Sequence, residues 1–76
     1  MLKVTLECKN ARSEVIAEIL SEFTDQYKIW HHYGQYYAMF TLKSLFRLIE
    51  LSMKLEKRGI EFTFNKIQKV KSKWRR

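Results

Sequence analysis

Few side chains in this chain could do covalent or metal chemistry. His31 and His32 are adjacent. Neighbours on an extended strand point to opposite faces, so the two imidazoles cannot close on one metal ion. Cys8 is the single cysteine, far from both histidines in sequence and without a partner for an intramolecular disulfide. No C-x-x-C or H-E-x-x-H spacing occurs. No nucleophile stands beside a base, and no paired carboxylates mark a cleft. The expectation is a protein that is not an enzyme and that uses no cofactor, no metal and no small-molecule substrate.

Basic and aromatic residues carry the stronger signal. Lys66, Lys69, Lys71, Lys73, Arg75 and Arg76 place six positive charges in the last eleven residues, with no acid and with Trp74 among them. Such a segment can neutralise phosphates and stack an indole on a base, which gives sequence-tolerant, salt-sensitive binding to RNA or DNA. The plainer reading of a charge run is a solvated tail. The other sixty-five residues are nearly neutral, nine basic against eight acidic, so most of the net charge of +7 on 76 residues belongs to the final segment. Charge placed this way points to a partner better than the total does.

Two further groups suggest a protein partner. Trp30, His32, Tyr37 and Met39 fall on the outward positions of two strand-like runs, where a patch of large side chains marks an interface. Glu14, Glu18 and Glu22 stand four apart on one face of a helical segment. Like charges at that spacing cost a few tenths of a kcal/mol, which a cationic partner offsets. That partner could be the chain's own basic segment, a second copy, or another protein.

Composition bounds the class. Hydrophobic residues make up 46% and charged residues 30% of the chain, which suits one globular domain and not a disordered segment. No apolar run approaches the roughly 18 residues of a membrane span, and none follows a basic start as in a secretory leader. With its lone cysteine, the chain is expected in a reducing cytoplasm.

The elements that must position these groups follow from periodicity. Leu2 to Cys8 alternates, with Leu2, Val4, Leu6 and Cys8 on one side, and predicts a half-buried strand. Asn10 stands where an N-cap belongs. Val15, Ile16, Ile19, Leu20 and Phe23 then repeat at helical spacing, predicting a helix over 11–25. Residues 27–32 are aromatic and β-branched, Gly34 supplies a turn, and Gln35 to Leu42 alternates again, predicting a hairpin. Thr41 can cap a second helix whose buried stripe would be Leu45, Leu48, Ile49, Ser52 and Leu55. That helix has Lys54, Lys57 and Arg58 in its last turn and Gly59 as its stop. Ile60 to Phe64 reads as a strand with Ile60, Phe62 and Phe64 inward. The phase breaks after Phe64. Ile67, Val70 and Trp74 suit either a short basic helix or an extension of the strand through a bulge.

The order β-α-β-β-α-β predicts a ferredoxin-like α+β sandwich, with two helices on one face of an antiparallel sheet ordered 4-1-3-2. The domain is expected over 1–65, with 66–76 as a basic C-terminal segment. One face of such a sheet stays open, and a dimer could form there. The topology is shared by unrelated activities, so function must be argued from residues. The aromatic order of an RNA-recognition motif is not matched: the first strand offers no outward aromatic, and Glu7 would repel phosphate. The arginine loop of acylphosphatases and the C-x-x-C of metallochaperones are also absent. The leading expectation is a small non-enzymatic module binding nucleic acid through its C-terminal segment. The alternative is a protein-binding inhibitor or adaptor, of the kind phages and plasmids carry, acting through the open sheet or the acidic helix.

Overall fold

A computed structural model describes residues 1–69. The elements are β1 (Leu2–Cys8), α1 (Ser13–Leu20), β2 (Tyr27–His32), β3 (Gln35–Leu42), α2 (Leu45–Lys57) and β4 (Phe62–Lys69). The four strands form one sheet in the order β2-β3-β1-β4, and every neighbouring pair is antiparallel. This is the ferredoxin-like arrangement. Each helix connects two strands that run parallel with a third between them, which is why both helices return to the same face.

That face holds the core. Val4, Leu6 and Cys8 of β1 and Ala38, Phe40 and Leu42 of β3 are buried beneath Ile16, Ile19 and Leu20 of α1 and Leu48, Leu51 and Leu55 of α2. Strict alternation in the two central strands sends one side chain in two to this layer. Each large one contributes about 1.5–3 kcal/mol over remaining in water. Ile60 closes the core between α2 and β4, with Phe62 and Phe64 packed against it.

Several local expectations are corrected. The first helix starts at Ser13, with Arg12 as its N-cap residue, and its α-helical part stops at Leu20, where Ser21 Oγ donates to Glu18 O at 2.8 Å. Asn10 is not an N-cap. Its Nδ2 donates to Gly59 O at 3.1 Å and its Oδ1 accepts from Glu61 N at 2.8 Å, tying the end of β1 to the loop between α2 and β4. Thr41 lies within β3, and Ser44 is the N-cap residue of α2. The buried stripe of α2 is Leu48, Leu51 and Leu55, whereas Leu45 and Ile49 point to solvent.

Two turns need positive φ. Gly59, at φ 72°, ends α2 as expected. In the hairpin, both connecting residues are left-handed, Tyr33 at φ 50° and Gly34 at φ 77°. They join the facing pair His32 and Gln35. Two left-handed residues match the twist of the flanking strands.

The break in phase after Phe64 is a bulge. Leu6 faces Phe64, but Thr5 faces Lys66, so Asn65 is the extra residue. Its Nδ2 donates to Glu7 Oε1 at 3.0 Å. Inserting one residue exchanges the faces beyond it. Ile67 therefore sits opposite Val4 on the core side, while Lys66 and Gln68 join the other face.

Candidate functional site

The uncovered face of the sheet gathers the chemistry. Register places Lys28, Met39, Thr5 and Lys66 in one row across all four strands, and Trp30, Tyr37, Glu7 and Thr63 in the next. At about 4.8 Å per strand spacing, a row spans about 14 Å between the edge strands. The first row thus has a lysine at each end and a methionine near its centre.

Rings occupy the hairpin end of this face. Trp30 and Tyr37 are nearly parallel, 12° apart, with centroids at 5.7 Å. His32 lies 6.4 Å from Tyr37 and 4.2 Å from Tyr33. The four rings form a continuous run from the turn to the middle of β2. Tyr33 was not singled out in the sequence. Its place depends on the turn, which carries a residue between two strands onto the rim of the face. His31 is on the opposite side, against Tyr36 at 4.7 Å, so the two histidines diverge as strand geometry requires.

Beside the rings lie two shallow depressions that share Lys3 and Met39. One, about 270 Å³, is lined also by Thr5, Trp30, Lys66 and Gln68. The other, about 350 Å³, reaches Lys28 and Thr41 and has Asp25 at its rim. Three ammonium groups, those of Lys3, Lys28 and Lys66, therefore border one aromatic surface. Glu7 is the acid on the inner rows, and its Oε1 is held by Asn65.

The structure divides the basic C-terminal group. Lys66 joins Trp30 and Met39. Lys69 faces the other side of the sheet, near Met1, Leu2, Lys43 and Leu45. Lys71, Lys73, Trp74, Arg75 and Arg76 lie outside the described residues. Residues 66–69 belong to β4, so the sheet runs four residues past position 65. Lys3 and Lys28 were missed because each reads as an ordinary solvated strand position. Only the pairing of strands far apart in sequence shows that they converge.

The acidic helix faces its own neighbour. Lys54 Nζ of α2 lies 2.6 Å from Glu22 Oε1, and Arg58 Nη2 lies 3.8 Å from Glu18 Oε1. Arg47 donates to Glu22 O at 3.2 Å and covers the Phe23 ring at 4.5 Å. Among the described residues Glu14 makes no such pair. These exposed pairs are each worth well under about 1 kcal/mol. The cations beside Glu18 and Glu22 thus come from α2 and its C-cap, none of the three partners expected for the acidic row.

Among the described residues no group of three or more potential metal ligands occurs. No helix among them is long and apolar enough to cross a membrane. Comparisons with family models, curated proteins and solved structures find no match to this chain.

Proposed function

We propose that this protein is a non-enzymatic, single-stranded nucleic-acid-binding module that holds its ligand on the open sheet face and continues the contact through its basic C-terminal segment, in a reducing compartment such as the cytoplasm. One observation carries the reading: the run Trp30, Tyr37, His32 and Tyr33 lies beside the depressions bordered by Lys3, Lys28 and Lys66. Ring faces take unstacked bases of any sequence, and ammonium groups take the phosphates between them. A duplex keeps its bases stacked inside and offers such a surface only its backbone, so the aromatic half favours single strands. Lys66 belongs to both halves, since it stands on the sheet and opens the basic segment.

The test is fluorescence anisotropy with a labelled single strand of about ten nucleotides, within the site sizes typical of such surfaces. Trp30→Ala and Tyr37→Ala should each weaken binding roughly 5- to 100-fold, the loss expected for one stacked base. A duplex of the same sequence should bind more weakly. If both variants bind a single strand as the parent does, the sheet is not the interface. If no nucleic acid binds at low salt, the reading fails and the adaptor alternative stands.

A further inference from the structure

We infer that α2 is a homodimer interface, with a second copy of this chain packed antiparallel on its outer face. Leu45, Phe46, Ile49 and Met53 point away from the core and are 58%, 77%, 48% and 61% exposed. A helix packed on a sheet ordinarily turns polar residues outward, and this one is apolar on both faces. The stripe runs on at the start of the helix, where Leu45, Met1 and Ile67 line one concavity. Together the exposed side chains offer on the order of 500–600 Å² of apolar surface, the upper end for the largest patch on a monomer and approaching the roughly 800 Å² per partner of a stable interface.

The spacing selects a second copy as the occupant. Leu45, Ile49 and Met53 are symmetric about Ile49, four residues to either side. A twofold axis at Ile49 sets Leu45 of each copy against Met53 of the other and Ile49 against itself, which is the self-complementarity such an interface requires. The same axis brings the bulky Phe46 ring of one copy beside Met53 of the other, and the nearby Ser52 hydroxyl already donates to Ile49 O at 2.8 Å. The contact therefore strands no polar hydrogen. At the two ends Glu56 of one copy comes within reach of Lys43 of the other, so charge complements shape. The open sheet face is on the opposite side of each protomer and plays no part, which keeps this inference independent of the nucleic-acid reading.

Sedimentation of nuclease-treated, full-length protein tests it. The expected result is a monomer–dimer equilibrium in which Ile49→Glu raises the dimer Kd roughly a hundredfold, because a carboxylate then meets its own copy in an apolar contact. Ile49 is half-exposed, so the variant should keep the parent circular dichroism. Ile49→Cys should cross-link to itself on mild oxidation, while Leu45→Cys should cross-link only when mixed with Met53→Cys. Glu56→Lys should weaken the dimer, and adding Lys43→Glu should restore it. A protein that stays monomeric at high concentration overturns the inference. So does a dimer that survives Ile49→Glu but is lost in Trp30→Ala, or a monomer whose α2 face captures a different protein.

Discussion

Tyr33 holds a left-handed backbone at φ 50° on an exposed turn, where a side chain costs roughly 1 kcal/mol relative to the ordinary regions. Asparagine takes that conformation more readily and is favoured before glycine in a two-residue hairpin. Tyr33→Asn should therefore raise stability by about 0.5–1 kcal/mol, seen as a higher urea midpoint. It should also weaken single-strand binding, because the ring run loses its outermost member. A gain in stability without any loss of binding would remove Tyr33 from the interface. Cys8 behaves in the opposite way, as a buried group. Burial, and secondly the charge of Glu7, push its thiol from 9.0 up to about 11. The unfolded chain thus gives up this proton first. The stabilising share of the neutral thiol is complete below pH 9 and is lost as pH climbs towards 11. Denaturant midpoints of the parent should fall over that window more than those of Cys8→Ala. Native Cys8 should resist alkylation until the chain unfolds.

Among the elements, β4 shows most plainly what one extra residue does. Without the bulge, Asn65 would pair with Thr5, and a continuous register would set Lys66 opposite Val4, facing the core, and Ile67 opposite Lys3, facing water. Deleting Asn65 itself leaves Lys66 opposite Thr5 and Ile67 opposite Val4, so it should cost only about 1 kcal/mol, the worth of the exposed Asn65–Glu7 hydrogen bond, and should leave nucleic-acid affinity nearly unchanged. A deletion variant that loses several kcal/mol in urea unfolding, or that loses binding, would mean that the faces beyond Phe64 are not set by this register. Much of the architecture was legible in the chain. Alternation in Leu2–Cys8 and Gln35–Leu42 names the central strands, and the order of elements names the sheet. The rest was ambiguous for stated reasons. Asn10 precedes a helix, where an N-cap and a long-range tie call for the same side chain. In α2, apolar residues satisfy helical spacing twice, as Leu48, Leu51 and Leu55 and as Leu45, Ile49 and Met53, and periodicity cannot tell which set is covered. Trp30, Tyr37 and Met39 were legible as an outward patch. Lys3 and Lys28 were not, because their convergence with Lys66 exists only once β1 separates β3 from β4.

For the whole molecule, one side is cationic and aromatic and the other ends in the apolar stripe of α2. A dimer joined through α2 would direct its two sheets outward. Short single strands should then bind one per protomer, with the same affinity in the parent and in Ile49→Glu. Strands long enough to reach both sheets should bind the parent more tightly, through effective concentration. Affinity should fall with salt, and Lys28→Ala and Lys66→Ala should each reduce the logarithmic salt slope by about 0.7, the value for one lost phosphate contact on a single strand. Equal slopes in all three proteins would take these lysines out of phosphate contact. The strand order has a last consequence, for the time course of folding. Of the four strands β1 is made before the others, yet its flank stays open until β4, the last described strand, arrives. The ties that close it, Asn65 to Glu7 and Asn10 to Glu61, join residues 58 and 51 positions apart. Loops of that length close late. Until they do, a central strand stands as a bare edge able to pair with another chain. Pulse-labelling of amides should find the β2–β3 hairpin protected first and the β1–β4 ladder last. The interval between the two is when a nascent copy is most exposed to aggregation.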